Sequence, residues 1–183
     1  MVTRLLLLMA LALPAWAAEV AGVKFEEQVR VAEAPLALTG AGLRTRLFFK
    51  VYAIGLYVQE RKGDPVAQGG AKRVAIHMLR DVDADAFTKA LVEGMRPNHD
   101  EATMRALEPR IAQLSAIMAE VKEAKKGMAI ALDWLPSSGT HVTIDGKPAG
   151  KPIDGEDFYR ALLRIWLGEK PVQGDLKQAL LGR

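Results

Sequence analysis

Residues Leu43–Val58, with the sequence LRTRLFFKVYAIGLYV, form the longest run in the chain that is rich in aromatic and β-branched side chains. Such residues are typical of β-strands. Turn-forming residues bound the run, since Thr39-Gly40-Ala41-Gly42 precedes it and the polar segment 61–70 follows it. We therefore predict one long strand over 43–58, preceded by a turn or bulge at the glycines.

One face of this predicted strand mixes cationic, aromatic and aliphatic side chains. Side chains alternate between the two faces of a strand, so one face carries Arg44, Arg46, Phe48, Lys50, Tyr52, Ile54, Leu56 and Val58. A buried guanidinium needs a partner. If this face is covered, Arg44 or Arg46 must meet a protein carboxylate, such as Asp81 or Asp133, or the head group of a ligand. If the face is exposed, the basic side chains extend into solvent and need no partner.

The rest of the pattern places strands before and between helices. Asp83 is suited to cap a helix over about 84–95, in which Phe87, Leu91 and Met95 recur at helical spacing. Further helices are predicted over about 100–124 and 155–167. This segregated order predicts an α+β fold in which a large antiparallel sheet carries helices layered on one face.

The first seventeen residues have the three parts of a secretory signal peptide. Arg4 supplies the positive region, Leu5–Leu13 the apolar region, and Ala15-Trp16-Ala17 the small-residue cleavage site. The apolar run is shorter than the roughly 20 residues that a bilayer span needs. We therefore expect a signal peptide over 1–17, a cut after Ala17, and a single domain over 18–183. The protein is then periplasmic or secreted, with no membrane span after cleavage.

Composition excludes several classes of site. The chain has no cysteine, and therefore no disulfide, thiolate metal site or thiol nucleophile. Its histidines, His77, His99 and His141, lack metal-binding spacing. Removal of Arg4 with the signal peptide lowers the formal net charge from +3 to +2, which gives no argument for a nucleic-acid partner. We expect no metal, no cofactor and no nucleic acid.

Several stretches resemble the chalcone isomerase family. Thr39–Arg44, TGAGLR, is similar to the family's G-x-G-x-R turn, and Phe49–Val58, FKVYAIGLYV, to the strand that follows it. Leu167–Lys177, LGEKPVQGDLK, is similar to the end of the plant enzymes, and residues 79–87, LRDVDADAF, resemble the exported bacterial branch. The resemblance covers about residues 20–182. It implies an open-faced β-sandwich, with a ligand cleft between the sheet and the helices.

The resemblance also implies which residues bind a ligand. The family arginine falls on Arg44, and the threonine of the enzymes' strand falls on Tyr52. Their active-site tyrosine falls near Asn98, their helix asparagine near Arg105, and their late threonine on Ile165. The tyrosine and threonine that polarise the substrate ketone in the enzymes are thus absent here. What remains suits the binding of an anion better than the stabilisation of an enolate.

Three functions stay open at the level of sequence. The first is a periplasmic, non-catalytic binder of a fatty acid or similar amphipathic carboxylate, in which Arg44 holds the head group and Tyr52 assists. The second is an intramolecular lyase of the chalcone isomerase type, an isomerase that closes a chalcone into a flavanone. The third is a structural or interaction protein of the cell envelope without a ligand, in which Arg44 pairs with a protein carboxylate in a closed core. An open apolar cleft at Arg44 would count against this third function.

Overall fold

A computed structural model describes residues 16–183, in which antiparallel strands form the central layer. In chain order the elements are β1 (Trp16–Val20), β2 (Val23–Glu26), β3 (Gln28–Val31), β4 (Ala34–Arg46), β5 (Phe49–Val58), β6 (Lys72–Met78), β7 (Val82–Asp83), α1 (Ala84–Met95), a 3-10 turn (Arg96–Asn98), α2 (Glu101–Val121), β8 (Glu123–Ala124), β9 (Ala129–Leu135), β10 (Gly139–Ile144), β11 (Lys147–Ile153), α3 (Glu156–Leu167) and α4 (Gly174–Leu180). Within this part of the chain, seven strands pair in the order β11-β10-β9-β6-β5-β4-β3. The predicted α+β class with a large antiparallel sheet is confirmed.

The main apolar core lies between one face of the sheet and the helices. Tyr52, Ile54 and Leu56 of β5 point into this core and are buried against residues of α1, α2, α3 and α4. The β1–β2 hairpin covers part of the opposite face, where Phe25 packs edge-on against His77 with ring centroids 5.6 Å apart. The predicted open-faced sandwich therefore holds, with helices on one face and a small hairpin on the other.

The stretch predicted as one long strand is two strands, so that prediction was wrong. β4 ends at Arg46 and β5 begins at Phe49, with a two-residue turn at Leu47 and Phe48. Large apolar residues give no turn signal, and Leu47 has a φ of +55°, in the region that favours glycine and asparagine. Arg44 and Tyr52 nevertheless share a face, because the hairpin places them directly opposite each other.

Gly40 and Gly42 lie inside β4 and do not form a turn, although a bulge does occur beside them. The register of β4 against β5 shifts between Leu38 and Gly40. Leu38 therefore faces the β1–β2 hairpin, while Gly42 faces α4. A Cβ on Gly40 would lie 2.1 Å from the carbonyl oxygen of Ala179. The glycines are needed for the close packing of α4 on β4.

The predicted signal peptide lies, up to Ala15, outside the described residues. Trp16 and Ala17, its last two residues, form the start of β1, which pairs with β2. A chain cut after Ala17 would keep residues 18–20 of this strand. In residues 16–183, no helix combines the length and the apolar character that crossing a membrane requires. The signal peptide and the single domain over 18–183 stay predictions.

Leu47→Asn is expected to stabilise the fold by about 1 kcal/mol, because a non-glycine residue at positive φ costs about 1–2 kcal/mol and asparagine tolerates this region best. The Leu47 side chain is 84% exposed, so little packing is lost. Urea denaturation followed by circular dichroism measures the change. Phe48→Asn is the matched control, since Phe48 is 97% exposed and does not have a positive φ. A lower unfolding midpoint for Leu47→Asn than for the control would contradict the strain at Leu47.

Candidate functional site

A cavity of about 680 Å³ lies between the end of the β4–β5 hairpin, α1 and the segment that follows α3. Much of its wall is apolar and includes Val51, Phe87, Ala90, Leu91, Ile165 and Val172. A volume of this size falls in the range of small-molecule sites, roughly 300–1,000 Å³. The cavity is therefore large enough to enclose an organic ligand.

Close packing of α1 against α3 shapes one wall of the cavity. A Cβ on Gly94 of α1 would lie 2.8 Å from Ile165 and 2.9 Å from Val172, so only glycine permits this approach. The Val172 N–H donates to the Ile165 carbonyl at 2.9 Å, which turns the chain after α3 back along the cavity. Backbone packing thus places both apolar side chains in the wall.

Arg44 lies half-buried in the cavity wall, and neutral groups hold it. Its Nη1 donates to the Thr45 carbonyl at 2.7 Å and to Gln173 Oε1 at 3.2 Å. Gln173 is itself fixed, since it accepts from the Thr45 N–H at 2.9 Å and donates to the Leu43 carbonyl at 3.1 Å. Over residues 16–183, no carboxylate lies within ion-pair distance of Arg44. The Arg44 guanidinium therefore keeps an uncompensated positive charge in the cavity wall.

The two carboxylates that the sequence offered as partners for Arg44 are engaged elsewhere. Asp133 binds Arg73 in a bidentate pair, with Nε–Oδ1 and Nη2–Oδ2 distances of 2.6 Å each. Asp81 lies in the cavity wall and accepts from the Lys126 N–H at 2.7 Å. A closed core in which Arg44 pairs with a protein carboxylate is not found in the described part of the chain. The open cavity at Arg44 counts against the envelope protein without a ligand.

Tyr52 places a hydroxyl beside the Arg44 guanidinium. The hydroxyl oxygen accepts from Trp166 Nε1 at 2.9 Å, and residues 16–183 offer no acceptor for the hydroxyl proton. Burial raises the pKa of Tyr52, against smaller opposing effects from the Trp166 hydrogen bond and the Arg44 charge. The hydroxyl therefore stays protonated at neutral pH and can donate. A guanidinium and a hydroxyl together suit a carboxylate or another anion.

Three exposed carboxylates also line the cavity, on or just before α1. Asp81 binds the Lys126 N–H, and Asp83 caps α1 by accepting from two backbone N–H groups at 2.9 and 3.1 Å. Glu93 lies 4.0 Å from Lys89 of the same helix. None of the three belongs to the β4–β5 hairpin, which carries Arg44 and Arg46, whereas the cationic Arg80 directly precedes Asp81 in the wall.

The structure brings together three of the five residues that the sequence proposed as a ligand site. Arg44, Tyr52 and Ile165 line the cavity, whereas Asn98 and Arg105 do not. Asn98 instead binds backbone groups, since its Nδ2 donates to the Lys170 carbonyl at 2.9 Å and its Oδ1 accepts from the Lys170 N–H at 2.9 Å. Arg105 is exposed on α2 and donates to the Glu101 carbonyl at 3.3 Å. A ligand in this cavity would not contact the Arg105 guanidinium.

Sequence reasoning missed the residues that fix Arg44 and Tyr52. Gln173 lies 129 positions from Arg44, and Trp166 lies 114 positions from Tyr52. No pattern in the sequence marks either residue as a partner. The spacing of Phe87 and Leu91 did give a signal, because it predicted their shared helix face. It could not tell a face packed on protein from a face that also borders a cavity.

All three tyrosines of the chain are expected to resist ionisation in the folded protein. Burial is the largest cause in each case, and it raises the pKa of Tyr57 to about 12 and those of Tyr52 and Tyr159 above the usual value. Near pH 10, about the ordinary tyrosine pKa, the native protein should show little phenolate absorbance, which urea should release. Since the native pKa values exceed the unfolded ones, the stability from these groups is present below about pH 10 and lost as pH rises further. Half-ionised tyrosines in the folded protein at that pH would contradict the burial.

Comparisons with known proteins show which family and which solved structure this chain resembles. Residues 17–182 match the model of the chalcone isomerase-like family, while among curated protein sequences none matches the chain. Among solved structures, a fatty-acid binding protein from Arabidopsis thaliana superposes with a TM-score of 0.66 at 16% sequence identity. The match covers 87% of this chain and 92% of that one. At this identity the likeness concerns the fold, and the family match extends over nearly the whole sequence. The chain belongs to the chalcone isomerase-like family.

Proposed function

We propose that this protein is a non-catalytic binder of a fatty acid or a similar amphipathic carboxylate, and that it acts in the periplasm or outside the cell. The observation that carries the proposal is the uncompensated Arg44 guanidinium, paired with the Tyr52 hydroxyl, in the wall of a largely apolar cavity. The fatty-acid binding of the Arabidopsis protein of the same fold supports the choice of ligand class. The signal-peptide pattern of residues 1–17 supports the location.

The head group of the ligand would lie against Arg44 and Tyr52. A carboxylate removed from water needs compensation by an opposite charge and by hydrogen bonds. A guanidinium can donate two parallel hydrogen bonds to it, and the Tyr52 hydroxyl has a proton without an acceptor among residues 16–183. Because the Arg44 Nη1 donates to Gln173 and to the Thr45 carbonyl, the guanidinium is positioned before the ligand arrives. Such preorganisation lowers the entropic cost of binding.

The hydrocarbon tail would lie along the apolar wall formed by α1, α3 and the segment after α3. Phe87, Leu91 and Ile165 are buried side chains of this wall, and Val172 is partly buried. Burial of a methylene group contributes about 0.8 kcal/mol, so affinity should rise with chain length until the tail fills the cavity. Lys170, an exposed residue of the segment after α3, also lines the cavity and could contact a second polar end of a ligand.

The test is to identify what the purified protein carries and then to titrate it. Native mass spectrometry of protein purified without added lipid should show bound acyl carboxylates. After delipidation, isothermal titration with saturated fatty acids of increasing length should show saturable binding that strengthens with length. Absence of any copurified carboxylate, together with no saturable binding across the panel, would contradict the proposal.

A further inference from the structure

The exposed large apolar side chains of residues 18–183 are consecutive and lie at one hairpin tip. Leu47 is 84% exposed, Phe48 97% and Phe49 56%. Leu47 and Phe48 form the turn between β4 and β5, and Phe49 is the first residue of β5. We call residues 46–50 the hairpin tip. An apolar group that projects from the surface in this way is typical of an interaction site.

The backbone conformation of the turn does not favour the residues that are found at the tip. Leu47 has a φ of +55°, where glycine or asparagine would be favoured. The leucine and the adjacent Phe48 make a turn that is more strained and more apolar than folding requires. Their presence therefore points to a contact outside the molecule.

Cations surround the apolar group at the tip. Arg46 and Lys50 flank the turn in the sequence, and the Arg80 guanidinium lies over the Phe49 ring, 4.7 Å from its centroid. All three basic side chains are exposed, and within residues 16–183 none of them forms an ion pair. The acidic residues of the same cavity wall, Asp81, Asp83 and Glu93, lie outside residues 46–50, and Asp81 directly follows Arg80. The tip thus combines three exposed apolar side chains with the positive charges of Arg46 and Lys50, and with that of Arg80 beside Phe49.

We propose that the hairpin tip docks on an anionic phospholipid surface. The apolar side chains would enter the region of the acyl chains, while Arg46, Lys50 and Arg80 would bind lipid phosphates. A narrow, projecting hairpin suits a fluid surface better than a protein interface, which typically buries about 800 Å² on each partner. Two copies meeting at their tips would bring six cations together, so charge complementarity favours the lipid.

Docking at the tip would bring the cavity mouth to the membrane. Arg46, Leu47 and Phe49 of the hairpin tip line the cavity, and so does Arg80 beside the tip. A ligand could then pass between the bilayer and the cavity with little exposure to water. This route rests on the proposed function, whereas the docking itself does not depend on what the cavity holds.

Co-sedimentation with phosphatidylcholine vesicles, with and without phosphatidylglycerol, tests the docking. The wild-type chain should bind only the vesicles that contain phosphatidylglycerol, and added salt should weaken this binding. Phe48→Ser and Lys50→Glu should each weaken it by about 10-fold or more, through loss of apolar contact and of charge. Lys62→Glu is the matched control, because Lys62 is also exposed but lies in the loop between β5 and β6. Vesicle binding by the Lys62→Glu variant should equal that of wild type.

Three results would overturn the docking. The first is no binding of the wild-type chain to phosphatidylglycerol vesicles, and the second is equal binding by wild type and the two tip variants. The third is a concentration-dependent dimer in sedimentation equilibrium that Phe48→Ser abolishes, which would assign the tip to a second copy. Fatty-acid titration of the same variants without vesicles should match wild type, since Phe48 and Lys50 do not line the cavity. Vesicle binding and fatty-acid binding can therefore fail separately.

Discussion

Arg44→Met should raise the dissociation constant for a long-chain fatty acid by about 10- to 100-fold, which corresponds to about 1.5–3 kcal/mol for a hydrogen bond to a charged group. Methionine keeps much of the apolar stem and removes the guanidinium. The carboxylate would then be left with the Tyr52 hydroxyl and no positive charge from Arg44. Isothermal titration of the delipidated variant against the same fatty acid measures the change.

Arg105→Met is the matched control for this prediction. It removes the same charged group from an exposed position on α2 that does not line the cavity, and fatty-acid affinity should not change. The unfolding midpoint of each variant shows whether the loss of the Arg44 contact to Gln173 has disturbed the fold. Unchanged affinity in a folded Arg44→Met variant would rule out Arg44 as the head-group ligand.

Asp133→Ala is expected to destabilise the protein by about 3 kcal/mol, because removal of one partner of a buried ion pair leaves the other charge uncompensated. The Asp133 side chain is 5% exposed and that of Arg73 is 23% exposed. The bidentate bond to Asp133 is the largest of the effects that raise the pKa of Arg73. The pair joins β6 to β9, where the two residues lie opposite each other in the centre of the sheet.

Asp157→Ala provides the comparison for Asp133→Ala. Asp157 also makes a bidentate pair, with Arg110, but its side chain is 65% exposed. Exposed pairs contribute about 0–1 kcal/mol, so this variant should lose far less stability in urea denaturation. Equal losses for the two aspartates would show that burial does not determine the strength of the Arg73–Asp133 pair.

The parts of the fold that local patterns control were predictable from the sequence. The helix predicted over 84–95 corresponds to α1, because Asp83 is a helix cap and the apolar spacing is regular. The hairpin at Leu47 was missed because its residues are strand-forming and its turn is strained. A contact outside the fold, such as the membrane that we propose, would account for residues that local propensity disfavours.

The candidate site was predictable only where its residues lie close together in the sequence, on the same predicted element. Arg44 and Tyr52 could be assigned to one face, although the alternation that led there assumed a single strand. In the structure they share a face because they are paired across the hairpin. The residues that position them, Gln173 and Trp166, are distant in the sequence, and their contacts depend on how α3 and α4 dock. Such contacts leave no periodic trace in one sequence.

The most direct test of the central claim compares a fatty acid with the alcohol of the same chain length, on wild type and on Arg44→Met. If the Arg44 guanidinium binds the carboxylate, wild type should prefer the acid by about 10-fold or more, and Arg44→Met should lose most of this preference, as expected for a charge-assisted hydrogen bond. Binding of the alcohol should differ little between the two proteins. Equal affinity of wild type for acid and alcohol, or a preference for the acid that persists in Arg44→Met, would contradict the claim.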